Sequence, residues 1–176
     1  MASNPIKLST TSYALLALLD QLGEGTSYDI KQALDKSIEN FWPVPHTTAY
    51  EEPARLAEAG YLAVDQEAAG RRRKSYSLTD EGRRALHEWA AEPVAAPPQL
   101  RDEFMLKVFA GADPAPLVGQ RLAWHRAKLD ELGGYLEAVR AAEGFEASER
   151  TLIAGLDYHR RMIAMIEELS AAADRL

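Results

Sequence analysis

The sequence contains no cysteine. This absence excludes disulfides, thiolate metal sites and thiol catalysis, and it is typical of proteins that work in a reducing cytoplasm. Long hydrophobic runs are also missing, because the apolar stretch from Ala14 to Leu19 is too short to cross a membrane and Asp20 follows it directly. With no convincing signal peptide either, we expect a cytoplasmic protein that has no membrane partner.

Recognisable catalytic and cofactor motifs are equally scarce. The chain has no G-x-S-x-G nucleophile motif, no Walker motif and no dinucleotide fingerprint. His125 and His159 fall on apolar faces of long helices, without carboxylates at metal-ligand spacing. We therefore predict that both are buried, hydrogen-bonded histidines, and that the protein is not an enzyme and holds no metal or cofactor.

A general excess of positive charge is absent as well. The chain has 20 Lys and Arg against 27 Asp and Glu, a net charge of −7. Residues 1–92 carry a net −4 and residues 93–176 a net −3. Nucleic-acid binding therefore cannot be inferred from bulk charge and has to rest on local placement.

One local cluster of positive charge lies in a predicted β-hairpin. The strand-like runs Tyr61–Val64 and Ser75–Leu78 flank a polar connection that ends in the sequence Gly70-Arg71-Arg72-Arg73-Lys74. Such a short pair of strands needs neighbouring helices for stability. A basic hairpin beside a helix-turn-helix is a winged helix, whose usual partner is DNA; in isolation the run would be a solvated surface loop.

Helices are predicted on both sides of this hairpin. They run from Ser9–Thr11 to about Leu22, from Tyr28 to about Ile38, from His46 or Thr47 to Ala59, and from a Thr79 cap to just before Pro93. Gly60 is placed as the glycine that ends the third helix. In that helix Tyr50, Leu56 and Pro53 are predicted to face inwards.

The segment after Pro93 predicts a second, helical domain. We divide the chain into residues 1–92, a proline-rich joint at 93–99, and residues 100–176. Predicted helices cover Leu100–Ala110, Asp113 to about Ala142, and Ser148 to about Leu176. The middle helix has an apolar seam at coiled-coil spacing, and two such striped helices are expected to meet a second copy of the chain in a two-fold dimer. Dimer residues predicted from these stripes are Leu122, Leu129, Leu132, Leu136, Leu156 and Ile163.

Several stretches together resemble the PadR family of bacterial transcriptional regulators. They are Leu15–Leu19, Ser27–Ile30, Phe41–Pro43, Tyr50 with Arg55–Leu62, Arg73–Gly82, Leu100–Phe104 and Lys107–Gly111. The last two resemble the family branch that has a longer helical C-terminal domain. This chain departs from the family pattern at Ser27, which replaces a usual glycine, and at Pro53, which stands where a leucine is more common. Pro53 lies well inside the third helix, where proline predicts a kink or a late helix start.

The resemblance implies a mainly α fold with a small β-hairpin, in which a winged helix-turn-helix domain precedes a helical dimerisation domain. It also implies a dimeric regulator that binds an inverted-repeat operator in double-stranded DNA, most simply as a ligand-responsive repressor. The predicted DNA-binding residues are Tyr28, His46, Thr47, Thr48, Tyr50, Glu51, Arg55, Arg71, Arg72, Arg73, Lys74 and Tyr76. A small aromatic or apolar effector is expected near Phe104, Met105, Phe109 and Trp124, residues that would otherwise form ordinary dimer core.

Two alternatives remain open from the residues alone. In the first, the winged helix is a protein–protein adaptor whose acidic surface avoids DNA. In the second, the chain is a ligand-binding or enzymatic helical dimer that does not bind DNA.

Overall fold

The computed structural model describes residues 6–38, 41–66, 73–142 and 145–173. The chain forms two compact units, Met1–Val94 and Ala95–Leu176, and the division falls within the proline-rich segment. Within the described ranges, no helix is both long enough and apolar enough to cross a membrane.

The first unit combines helices with a three-stranded antiparallel sheet. In chain order its elements are α1 (Thr10–Leu22), β1 (Glu24–Thr26), α2 (Ser27–Ser37), α3 (His46–Glu58), β2 (Leu62–Gln66), β3 (Lys74–Leu78) and α4 (Asp80–Ala91). Ser9, Thr26 and Thr79 cap α1, α2 and α4 with their side-chain oxygens, which explains why these helices begin where the sequence predicts. The mainly helical winged-helix fold is confirmed.

The sheet has the strand order β1-β3-β2. In the hairpin, Leu62 pairs with Leu78 and Gln66 with Lys74, so the basic end of β3 lies at the hairpin tip. β1 was not predicted from the sequence. Its three residues pair with the other edge of β3, where Gly25 lies opposite Tyr76.

A close backbone contact joins the base of the hairpin to α4. The Thr79 hydroxyl lies 2.7 Å from the carbonyl oxygen of Gly60 and accepts a hydrogen bond from the N–H of Gly82. Gly60 has φ +84°, the left-handed conformation expected of a helix-ending glycine. A Cβ on Gly82 would lie 2.2 Å from the carbonyl oxygen of Tyr61, so only glycine fits there.

The hydrophobic core of the first unit lies between α1, α2, α3 and the sheet. Its buried members are Leu15, Leu16, Leu18, Leu19, Ile30, Leu34, Ala49, Leu56, Leu62, Tyr76 and Leu78. The core fixes the buried face of α3 and leaves the opposite face open.

The second unit consists of α5 (Glu103–Phe109), a 3₁₀ turn (Ala115–Leu117), α6 (Val118–Arg140) and α7 (Glu146–Ala173). α5 begins three residues later than predicted, because Asp102 caps it by accepting hydrogen bonds from the N–H groups of Phe104 and Met105. Ion pairs between Arg126 and Glu167, and between Arg140 and Glu149, show that α6 and α7 are antiparallel.

Candidate nucleic-acid interface

The exposed face of α3 carries most of the side chains predicted to read DNA. Pro45 precedes the helix and provides no side-chain cap, and α3 is continuous from His46 to Glu58. The predicted late start is therefore not observed. His46, Thr47 and Glu51 are exposed and Thr48 is half-buried, so these residues form a polar surface at the start of the helix.

Tyr50 belongs to this exposed face. The sequence analysis placed it inwards, but 48% of its surface is exposed. The inward positions are Ala49, Pro53 and Leu56, which recur at the helical spacing of four and three residues. Tyr50 therefore remains accessible to a partner.

Arg55, predicted to contact DNA, is bound to other side chains of the first unit. Its Nε and Nη2 donate hydrogen bonds to the carboxylate of Glu52 at 2.7 and 2.5 Å, and Nη2 also donates to the Ser12 hydroxyl at 3.1 Å. Burial by itself raises the pKa of the Glu52 carboxyl, but the hydrogen bonds from Arg55 and Ser12 outweigh it and lower that pKa below its ordinary value. The pair is thus fully charged at neutral pH.

The wing, which is the hairpin of β2 and β3, contributes Arg73 and Lys74. Both residues are exposed at the start of β3. Arg71 and Arg72, the other two cations of the predicted basic run, lie outside the described residues. Tyr76, two residues after Lys74, is only 5% exposed and belongs to the hydrophobic core. Its ring therefore supports the wing from inside and offers little surface to DNA.

A cleft of about 670 Å³ separates the wing from the start of α2. It is lined by Thr26, Ser27, Tyr28, Asp29, Arg73, Lys74 and Tyr76. Tyr28 is 61% exposed at the start of α2, and its hydroxyl accepts a hydrogen bond from Gln32. Hydrogen bonds from Thr26, aided by the charge of Arg73, lower the pKa of the Asp29 carboxyl. The Tyr28 hydroxyl and the Lys74 ammonium group line one cleft and can together hold a phosphate of a nucleic-acid backbone. The negative charge of Asp29 limits how closely that phosphate can approach.

The predicted effector residues separate into two groups in the second unit. Phe104 is buried and Trp124 half-exposed, and both line a cavity of about 570 Å³. Other residues lining it are Glu103, Lys107, Leu117, Gln120 and Arg121. Met105 and Phe109 are exposed on α5 and, among the described residues, are not part of the lining.

Sequence reasoning did not identify Arg121 as a member of this cavity. Its guanidinium lies 5.0 Å from the centre of the Phe104 ring and is paired with Asp102, whose side chain is 6% exposed. The aromatic walls of this cavity can hold a flat molecule, whereas its cations Lys107 and Arg121 are already paired with Glu103 and Asp102.

His125 and His159 are buried, and their Nδ1 atoms lie 2.8 Å apart in a hydrogen bond between α6 and α7. The prediction of buried, hydrogen-bonded histidines is confirmed. In the part of the chain that the structure describes, no group of three or more metal-ligating side chains occurs.

The leucines predicted for the dimer contact are used mainly inside one chain. Leu132, Leu136 and Leu156 form a buried cluster with Leu152, and Leu129 packs against it. Leu122 and Ile163 are half-buried. Their role between two copies of the chain stays a prediction, and it can rest only on the surface that they leave exposed.

Comparisons with known proteins are consistent with this geometry. Residues 15–88 match the transcriptional regulator PadR-like family. The negative transcriptional regulator PadR of Bacillus subtilis is 28% identical over 177 residues, covering 93% of this chain and 97% of that protein.

Two solved structures of Bacillus subtilis PadR extend the similarity to both units. The complex with operator DNA has a TM-score of 0.80 and 26% identity, and the match covers 95% of this chain and 99% of that one. The complex with p-coumaric acid has a TM-score of 0.75 and 27% identity, with 93% and 94% covered.

Proposed function

Because residues 15–88 match the PadR-like family, we propose that this chain is a transcriptional regulator that binds an inverted-repeat operator in double-stranded DNA as a dimer. The observation that carries the proposal is that the polar face of α3 and the wing cations Arg73 and Lys74 are all exposed. The similar Bacillus subtilis structure bound to operator DNA supports it. Repression is the proposed direction, since that relative is named a negative regulator. The proposed location is the cytoplasm, where chromosomal DNA is available, and no catalytic step is part of the proposal.

In this proposal α3 and the wing have different tasks. α3 enters the major groove, where Thr47, Thr48 and Glu51 approach base edges; a threonine contacts a thymine methyl group and a glutamate accepts a hydrogen bond from a cytosine amine. The wing run Arg71–Lys74 contacts phosphates, and Tyr28 binds the backbone from the start of α2. Local cations are necessary because the chain as a whole has a net charge of −7.

The proposed dimer forms through the second unit. Several large apolar side chains remain exposed there, namely Leu100, Leu106, Phe109 and Ile153. Exposed apolar groups of this size favour a contact with another copy, and a two-fold dimer presents two α3 helices to two half-sites of an inverted repeat.

The cavity beside Trp124 is the proposed effector site. Its aromatic walls suit a flat aromatic molecule, and the p-coumaric acid complex of Bacillus subtilis PadR supports an aromatic acid, whose carboxylate would replace Glu103 or Asp102 as the partner of Lys107 or Arg121. Such an effector can release the operator only by binding the non-binding conformation more tightly than the DNA-binding one.

DNA retention by the purified protein tests the proposal. Random fragments of the source genome are incubated with the protein at moderate salt, and the retained fragments are sequenced. We expect an enriched inverted repeat with half-site centres about 10 bp apart, or a multiple of that distance. If no fragment is enriched and affinity for any duplex is undetectable, the regulator proposal is overturned and the adaptor alternative gains support.

A further inference from the structure

A polar cluster joins α1 to α3 in the first unit, fully buried at Ser12 but with 40% of the Arg55 side chain exposed. It consists of Ser12, Glu52 and Arg55, and we call it the Ser12 cluster. Ser12 has no exposed surface, and its hydroxyl donates a hydrogen bond of 2.6 Å to Glu52 Oε1. The same hydroxyl accepts hydrogen bonds from Arg55 Nη2 at 3.1 Å and from the Ser9 backbone N–H at 2.9 Å.

The members of the Ser12 cluster lie on both sides of Pro53, the residue of α3 that has no backbone N–H to donate. Pro53 is buried inside α3 and has no N–H, so the carbonyl of Ala49 loses its usual intrahelical donor. Proline also disfavours a helical conformation in the preceding residue, which here is Glu52. Glu52 and Arg55 flank Pro53 and are bonded to each other, and both are bonded to α1 through Ser12.

The direction of the Arg55 donors argues against a role as a simple phosphate anchor. Its Nε and Nη2 are both directed to groups of the same unit, and Glu52, which neutralises its charge, has only 11% of its side chain exposed. An arginine paired in this way attracts a DNA phosphate less than an unpaired one. Its side chain instead fixes two helices relative to each other.

We propose that the Ser12 cluster is a positioning device: it keeps α3 a continuous helix across Pro53 and fixes its orientation on α1, and thereby determines which bases the start of α3 contacts. This inference rests on the proposed DNA-binding function. In it Arg55 acts on base recognition through the cluster, whereas the cations of the wing supply the phosphate contacts.

The test uses the full-length protein with Glu52→Gln, Ser12→Ala and Arg55→Ala, and with Glu58→Gln as the matched control. Glu58 lies exposed at the end of the same helix, so its variant makes the same charge change outside the cluster. Base preference is measured by selection from random DNA, and affinity for the selected site and for unrelated duplex is measured over a range of salt concentrations. Circular dichroism checks that each variant is folded. If Ser12→Ala does not fold, the near-isosteric Glu52→Gln decides.

All three cluster variants are expected to lower the ratio of specific to non-specific affinity about tenfold, the size of one lost base contact. The salt slope should stay as in wild type for Ser12→Ala and Arg55→Ala, whereas Glu52→Gln leaves Arg55 without its carboxylate partner and is therefore judged by base preference and affinity ratio alone. Glu58→Gln should keep the wild-type ratio. The double variant Ser12→Ala, Arg55→Ala should lose little more than either single variant, because both remove the same cluster.

Two results would overturn the inference separately from the proposed function. If wild type binds its site and Glu52→Gln keeps the same base preference and affinity ratio, the cluster does not position α3. If Arg55→Ala alone lowers the salt slope by about one unit and leaves base preference intact, Arg55 is a phosphate anchor. Undetectable DNA binding by wild type would overturn both this inference and the proposed function.

Discussion

The buried pair His125 and His159 predicts that acid destabilises the second unit. A hydrogen bond between two Nδ1 atoms requires one ring to donate and the other to accept. Among the described residues, His125 Nε2 is buried without a partner. An unpaired acceptor is less costly than an unpaired donor, so we infer that His125 carries its proton on Nδ1 and donates to His159. Both rings are then neutral, and protonation of either adds a charge to the helix interface.

The groups around His125 and His159 determine how strongly acid destabilises the second unit. Burial, together with smaller contributions from His159 and Arg121 and against an opposing effect of Asp102, lowers the pKa of His125 to about 4. Burial also lowers the pKa of His159, as does Lys128, against the opposing effect of Glu131. Tyr158 and Trp124 are the other rings packed around the pair.

The direction in which pH changes the free energy of unfolding follows from comparing His125 in the folded and unfolded states. Above pH 6.5 the ring is neutral in both states and makes no pH-dependent contribution. Between pH 6.5 and about 4 only the unfolded chain takes up the proton, so the free energy of unfolding falls as the pH falls. A pKa difference of this size corresponds to a loss of roughly 3 kcal/mol by pH 4.

Urea unfolding between pH 7.5 and 5.0, followed by circular dichroism and by tryptophan fluorescence, measures this loss. Carboxylates titrate mainly at lower pH, so the difference between wild type and the non-titrating variant His125→Gln isolates the histidine contribution in this range. His87→Gln, an exposed histidine on α4, is the control and should keep the wild-type pH dependence. If wild type and His125→Gln lose the same stability between pH 6.5 and 5.0, the pair does not titrate as argued.

Three further predictions concern DNA and assembly. Lys74→Ala should weaken binding to all duplexes and lower the slope of log affinity against log salt by about one unit; an unchanged slope would show that Lys74 contacts no phosphate. Thr47→Ala should reduce discrimination within each half-site by about 1–3 kcal/mol while affinity for unrelated DNA is unchanged, as measured by selection and anisotropy; an unchanged selected motif would place Thr47 away from the bases. Phe109, which is 87% exposed, should lie in the dimer contact, so Phe109→Asp should shift sedimentation at micromolar concentration from dimer to monomer without loss of helicity. Wild type that sediments as a monomer would contradict the proposed dimer.

Local signals in the sequence were sufficient for most element boundaries. Ser9, Thr26 and Thr79 are short polar residues before apolar-periodic segments, and each proves to be the N-cap of a helix. β1 could not be predicted in this way, because Glu24–Thr26 has too few residues for an alternating pattern. It exists as a strand only through pairing with β3, about fifty residues later in the chain.

The spacing of the apolar residues along α6 could not predict which helix packs against them. The seam itself was located well, since His125, Leu132 and Leu136 are all buried. However, the same spacing suits a neighbouring helix of the same chain and a helix of a second copy, because both offer an apolar groove of the same kind. The structure shows α7 of the same chain against Leu132 and Leu136.

The candidate DNA-binding residues of α3 could likewise be predicted only in part from the sequence. Thr47 and Glu51 follow from the helical period, but the role of Arg55 depends on Ser12, which is 43 residues earlier in the chain. A polar serine at the third position of α1 looks like part of an ordinary capping box, which it also forms with Ser9. Only the packing of α1 against α3 gives Ser12 its second set of partners.

The low positive charge of α3 has a consequence for specificity. In the half of α3 that begins the helix Glu51 is exposed, whereas Glu52 is neutralised by Arg55, and the first turn contains no acidic residue. α3 therefore neither attracts nor strongly repels phosphates, and in the proposed function the sequence-independent attraction comes from the wing. On a chain with a net charge of −7, this attraction remains small. Base contacts must then provide a large share of the operator affinity, so a variant that misorients α3 should lower the ratio of operator affinity to affinity for unrelated DNA, by about the tenfold factor expected for the Ser12 cluster variants.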